Sequence, residues 1–293
     1  MSSSSAEPTV SVVIGSNAPP ACLEACLEAL QPQIDNGVEV LVYDGAGGAE
    51  RLRDTYPWAT VVGAPGALVP FHWRDGINAA TGDVVALTVA QMRPAPDWIA
   101  TIRDEHREHD VVGGAIDPGQ GLRLRDWAEY FCRYARDMRP FVAGENVNLA
   151  GDNATYGRTT LSRVRASYRD GFWEPDVHRA IEGLGIALWR SPAVLVEQGR
   201  SVGFTAFAAQ RFAHGREHGR QRGSRFSRSR NVAGVAGAPI VPFVMTVRVL
   251  REVFSRGRFR ARVLLAVPLV LALNAVWAAA EAVGHVDVLR EAA

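Results

Sequence analysis

Residues 82–99, Gly-Asp-Val-Val-Ala-Leu-Thr-Val-Ala-Gln-Met-Arg-Pro-Ala-Pro-Asp-Trp-Ile, constrain this chain more than any other stretch. The run 84–89 is apolar and β-branched over the length of one strand, which predicts a strand buried on both faces, as in a parallel sheet. Arg93-Pro94-Ala95-Pro96 then breaks the pattern and predicts a turn, and Asp97 is placed to cap a helix that begins near Trp98. A buried strand, a tight corner and a helix are the unit of an open α/β sheet. In such sheets ligands gather just outside the carboxyl ends of the strands. The corner at Gln91-Met92 is therefore the first place to look for chemistry.

The segments around it agree. Residues 9–14 (Thr-Val-Ser-Val-Val-Ile) lie between Pro8 and Gly15 and predict a first strand. A loop carrying Asn17 follows, then a helix over 21–30 with Cys22, Leu23, Cys26, Leu27 and Leu30 on one face. Residues 38–43 predict a second strand ending on Asp44-Gly45, so strand, helix and strand imply a parallel crossover. A short strand is expected at 59–62, a helix at 71–80 stopped by Gly82, a helix at 98–109 and a strand at 110–116. Residues 122–135 predict a helix whose Trp127, Tyr130, Phe131 and Tyr134 read first as core. A helix opening at Asp170–His178 runs to Leu184 and stops at Gly185. The strand at 187–196 holds Pro192, which suggests a sheet edge.

Composition narrows the partners. The net charge is +1, which gives no global pull toward nucleic acid, and all 32 basic residues are Arg. They cluster: seven fall between 211 and 230 and six between 248 and 262, each group with a single acid. These tracts are poor in aromatics and adjoin apolar segments, which argues against nucleic acid as a partner. Three cysteines make no disulfide framework, and Cys22 with Cys26 reads as core packing. Residues 1–8 read as a disordered N-terminus without the features of a signal peptide, which places the main domain in the cytoplasm. No Gly-x-Gly-x-x-Gly follows the first strand, which weakens a dinucleotide-binding reading.

The spacing of these segments resembles family-2 glycosyltransferases, which have the nucleotide-sugar-binding GT-A fold. The resemblance rests on the Asn-bearing first loop, the Asp-Gly turn at 44–45, Arg-x-Gly-Ile-x-x-Ala-x-Gly-Asp at 74–83, and the Gly-Asp-Asn-Ala-Thr-Tyr stretch at 151–156. It implies a mixed, mainly parallel sheet flanked by helices over residues 9–222, and an Arg-rich linker with apolar helices over 223–293. It also implies an inverting transfer from a nucleotide-sugar donor to a hydroxyl on a lipid or polysaccharide-type acceptor.

The resemblance assigns roles residue by residue, each beside a plainer alternative. Asp44 would bind the nucleotide base, or be an ordinary turn aspartate. Arg74 would contact phosphate, or be solvated. Asn153 would bind sugar hydroxyls, or form a turn. Glu174 would be the base that deprotonates the acceptor, with Asp176 in reserve; acids are also favoured in a helix's first turn by its dipole. Arg211, His214 and Arg216 would steady the leaving diphosphate, or face anionic lipid. Where the family has an acidic Asp-x-Asp-like motif, this chain reads Val89-Ala90-Gln91, so Gln91 stands at the donor site without a carboxylate. The family implies Mg²⁺ or Mn²⁺, but no metal ligands can be assigned. The missing acids also support a rival reading, a catalytically inactive relative serving as a binding or scaffold protein.

The last third is apolar. Against the roughly 20 residues of a membrane span, 232–247 is short and 263–280 marginal. Both flanks of the first run are Arg-rich, which favours the cytoplasmic side of a cell membrane. A re-entrant or in-plane helix is expected for the first and a membrane-inserted helix or hairpin arm for the second. The alternative is a buried helical pair. The tail, with Trp277 and Glu281-Ala-Val-Gly284, resembles the membrane-associated subgroup of the same family.

Overall fold

The structure is a computed structural model that describes residues 7–146, 148–199 and 203–291. Most of the stretch read as a disordered N-terminus therefore lies outside the described residues. By its contacts the chain divides into two units: residues 1–119 with 137–199, and residues 120–136 with 200–293. The sequence reading put the boundary at 222. The contacts place it at 199 and also assign the helix near 130 to the second unit, because that helix packs on C-terminal helices.

In chain order the first unit begins with β1 (Val10–Ser16), α1 (Pro20–Leu30) and β2 (Val38–Asp44). Next come α2 (Ala49–Thr55), β3 (Thr60–Gly63), α3 (Val69–Ala79) and β4 (Val84–Val89). Then follow β5 (Met92–Pro94), α4 (Trp98–Glu105) and β6 (Val111–Pro118). The chain then gives α5 (Leu124–Tyr134) to the second unit. It returns with β7 (Gly144–Glu145), β8 (Asn153–Gly157), α6 (Arg158–Arg163), α7 (Glu174–Glu182) and β9 (Trp189–Gln198).

The strands form one sheet in the order β3-β2-β1-β4-β8-β6-β9-β5, with β7 also on β9. β3, β2, β1 and β4 are mutually parallel, β8 runs antiparallel between β4 and β6, and β9 is parallel to β6. This is the expected α/β architecture. β1 and β4 are buried at every position, as continuous β-branched runs require.

Two local expectations change. The corner after β4 is a three-residue strand rather than a plain turn, and Asp97 occupies the cap position of α4 without a side-chain cap bond. β9 is not an edge: it lies between β6 and β5. Pro192 is accommodated by a register shift, between Gly114 and Ala115 of β6, that leaves it unpaired.

The second unit is helical: α5, α8 (Phe204–Gly223), α9 (Arg228–Gly237), α10 (Val241–Arg256) and α11 (Arg260–Glu291). α11 is its axis. Gly215, Gly219 and Gly223 recur every four residues on α8 and let it lie backbone-to-backbone on α11. A Cβ at Gly219 would strike the Glu281 carbonyl, and one at Gly284 the Arg216 carbonyl. The aromatics of α5 are buried here, as core.

Candidate functional site

The register brings one set of residues to one end of the sheet. β1 to β4 are parallel, and Ser16 pairs with Asp44, Asp44 with Gly63, and Gly15 with Val89. β8 runs the other way and starts with Asn153 opposite Thr88, so residues 151–152 arrive at that same end.

On one side stands Asp44. Its carboxylate is 2 % exposed and organises its own loop: one oxygen accepts the Ala46 N–H at 2.9 Å, the other the Gly48 N–H at 2.5 Å. Gly47, at φ 90°, closes the turn in the left-handed region. Asn17, from the loop after β1, donates to the Ala67 carbonyl at 2.9 Å and crowds Gly45 so closely that no Cβ would fit. His72 of α3 is buried beside them, stacked on Tyr43, with Nε2 3.2 Å from the Ala64 carbonyl. Its Nδ1 has no partner among the described residues. Burial holds the imidazole pKa below its ordinary value, so His72 is neutral.

On the other side stands Glu174, the first residue of α7. A Cβ on Gly151 would lie 2.7 Å from its Oε1 and 2.8–2.9 Å from the Trp73 ring. Gly151 therefore serves as the flat floor on which Glu174 and Trp73 both rest. Trp73 Nε1 donates to the Thr88 carbonyl at 2.9 Å, and Thr88 Oγ1 donates to the Asp152 carbonyl at 3.0 Å. Trp73 also faces Gly15 across the end of β1. The indole thus connects the Asp44 side to the Glu174 side.

Beneath α7, Phe172 packs edge-on against both Trp73 and Tyr156, and the Tyr156 hydroxyl meets His178 Nε2 at 2.9 Å. His178 lies one turn after Glu174 on α7. Burial, and after it the Glu174 charge, pushes the Tyr156 phenol well above its ordinary pKa.

The other expected residues lie as follows. Gln91 sits in the turn after β4, 8 % exposed, with its carbonyl accepting the Gly199 N–H at 2.7 Å. Arg74 follows Trp73 on α3, pairs with Asp75 at 2.7 Å and lies over Phe71. Asp176 pairs with Arg179 at 3.0 Å. Asn153 is fully buried: its oxygen accepts from Trp98 Nε1 at 3.0 Å, and its nitrogen donates to the carbonyls of Ala115 and Val194, each at 2.9 Å. That amide ties β8 to carbonyls of β6 and β9 and is spent within the sheet.

Arg211, His214 and Arg216 belong to α8 of the helical unit. Arg211 is buried there, donating to the Leu273 carbonyl at 3.0 Å and to Asn274 at 3.1 Å; Arg216 pairs with Asp287 at 2.7 Å. Sequence reasoning missed Trp73, Gly151 and the Tyr156–His178 pair. No period or motif marks them, since each matters through what it touches.

The donor set at the corner does not suit a divalent cation. Val89-Ala90-Gln91 offers no carboxylate, and among the described residues no group of three or more His, Cys, Asp or Glu is placed to hold one.

No family model matches the chain, and no curated protein matches it by sequence. Solved structures do match. A mannosyltransferase from Pyrobaculum calidifontis, solved with GDP-Man and Mn²⁺, aligns over 96 % of this chain and 87 % of its own, at a TM-score of 0.55 and 19 % identity. GalNAc-T7, solved with UDP, GalNAc and Mn²⁺, aligns over 67 % of this chain and 44 % of its own, at a TM-score of 0.51 and 16 % identity. The fold is thus GT-A-like, shared with glycosyltransferases of differing donors.

Proposed function

We propose that this protein is a family-2-type glycosyltransferase. It would move a sugar from a nucleotide-sugar donor to a hydroxyl of a lipid or polysaccharide-type acceptor, with inversion, at the cytoplasmic face of a cell membrane. One observation carries the reading: Glu174 and the Asp44 loop lie at the same end of a GT-A-like sheet, joined through Trp73. Neighbours of that fold were solved with GDP-Man and with UDP.

In this reading the base of the nucleotide docks at the Asp44 loop. Each carboxylate oxygen there, having accepted one backbone N–H, keeps a lone pair for a base N–H. The diphosphate lies across the carboxyl ends of β1 and β4 past Gln91, with Arg74 as the nearest cation in sequence to Trp73. Glu174 takes the proton from the acceptor hydroxyl. The hydroxyl oxygen bonds to the anomeric carbon from the face opposite the diphosphate. The bond between that carbon and the phosphate oxygen breaks, and its electron pair leaves with the nucleoside diphosphate. The rings of Trp73, Phe172 and Tyr156 pack edge-on behind this end of the sheet and hold its wall in place. Arg211 and Arg216, occupied within the helical unit, act there as packing and ion-pair residues.

The corner without carboxylates favours one competing reading, a donor-binding protein that does not turn over. Glu174→Gln separates the two. The transferase reading expects a drop of about 10²–10⁴-fold in kcat with donor affinity kept, measured with UDP- and GDP-sugars in detergent with and without Mn²⁺. Donor binding without hydrolysis or transfer in the parent protein would establish the binding reading instead.

A further inference from the structure

Among the described residues, one face of the helical unit has no protein cover. α10 and α11 form a hairpin through Gly257, whose φ of 72° closes α10. α10 buries Pro242, Thr246 and Val253. Its other side holds Ile240, Phe243, Val244 and Val247, at the spacing i, i+3, i+4, i+7 of one helical stripe. Ile240 is 65 % exposed and Phe243 60 %; Leu264 and Leu265, at the start of α11, are equally open to solvent. Arg248 and Arg251 continue the stripe one turn on, and Arg262 stands at the start of α11. None of these three makes an ion pair among the described residues. Exposed apolar side chains bounded by uncompensated guanidinium groups match an anionic phospholipid surface: chains below, phosphates at the rim.

The same unit argues against a crossing. α10 has 16 residues, about 24 Å of helix against the roughly 30 Å of a hydrocarbon core. α11 is long and apolar enough to span, but its middle is not built for lipid. Asn274 there accepts from the buried guanidinium of Arg211 and donates to Thr246 of α10 at 3.1 Å. Cys132 of α5 faces the same point. Further along, Glu281 and Asp287 are held by Arg222 and Arg216 of α8, each at 2.7 Å. A helix clad at its midpoint by an arginine, and in its last third by ion pairs, is the axis of a protein bundle.

We propose that the helical unit enters one leaflet only. The outer stripe of α10 and the first turns of α11 are immersed in an anionic phospholipid surface, and both ends of α11 stay on the same side. The inference rests on the membrane-surface reading above and adds the surface, the lipid charge and the topology.

Flotation of the full chain tests the surface, using vesicles of phosphatidylcholine alone and of phosphatidylcholine mixed with phosphatidylglycerol. Binding should be confined to the mixed vesicles. Arg248→Gln with Arg251→Gln should weaken it by about 10-fold or more. Phe243→Asp with Val247→Asp should abolish it while circular dichroism stays unchanged. Inverted membrane vesicles from expressing cells test the topology: Ser255→Cys and Arg290→Cys should both react with an impermeant maleimide before detergent is added. Protection of one of the two until detergent is added means that α11 crosses, and overturns the proposal while leaving the membrane reading intact. Equal binding to neutral vesicles, or full binding by the Asp variant, overturns it in the same way. A chain absent from the membrane fraction overturns both.

Discussion

The two units bury their elements by opposite means. In the sheet unit, β1 and β4 are buried at every position, and neighbouring side chains fill the space between strands and helices. In the helical unit, α8 meets α11 through the absence of side chains at Gly215, Gly219 and Gly284, and then through polar groups, Arg211 to Asn274 to Thr246. The first kind of contact tolerates loss of volume better than the second tolerates gain, because a backbone cannot move aside as a rotamer can.

The contrast should break first at Gly219. Gly219→Leu places a side chain where the Glu281 carbonyl already lies. It should destabilise the helical unit by about 3 kcal/mol or more, read by hydrogen exchange as lost protection in α8 and α11 with the sheet strands still protected. Equal loss in both units would mean that they unfold as one.

Asn153→Ala is the matching cut in the sheet unit. It strands Trp98 Nε1 and two strand carbonyls, and should cost about 2–4 kcal/mol by urea titration, with protection lost around β8 instead.

Acid sharpens the comparison further. His106 donates to or accepts from Thr155 at 2.7 Å, and burial lowers its pKa from 6.5 to about 4. Above pH 6.5 both the folded and the unfolded forms are neutral and nothing is lost. Between 6.5 and about 4 only the unfolded chain takes the proton, so stability of the sheet unit falls as pH drops, by up to about 3 kcal/mol. Denaturant midpoints at neutral and mildly acid pH should show this, and His106→Gln should flatten the slope.

The smallest effect is expected at Arg216→Ala. Its pair with Asp287 is short but exposed, so the shift in denaturant midpoint should be the smallest of the set and should shrink further in salt.

Much of the fold could be read before any coordinates. Pro8, Gly15, Pro32 and Gly82 punctuate apolar runs of strand and helix length, and those runs became β1, α1 and β4 with ends shifted by a residue or two. Pro192 misled because a proline in a strand usually marks an edge, and a bulge satisfies the same missing N–H. The contact division falls at 199 rather than 222, because α8, charged like a surface helix, is committed to α11 by glycines four residues apart.

The site divides in the same way. Local chain geometry places Asp44 at the end of β2 and Glu174 at the start of α7, and both positions follow from strand and helix limits written in the sequence. Their joint seat does not. Gly151 beneath Glu174 and Trp73, Trp73 reaching from Gly15 to Thr88, and Tyr156 bonded to His178 are contacts across 15 to 78 positions of chain. Asn153 and Arg211 show the converse: residue types suited to a ligand are consumed by carbonyls and amides of their own unit. The sequence alone determined where strands and helices begin and end, because hydrophobic period and backbone-restricting residues act over a few positions. Which polar groups remain available at the mouth was decided only by tertiary packing, because a buried donor or acceptor must be satisfied by whatever the fold brings next to it.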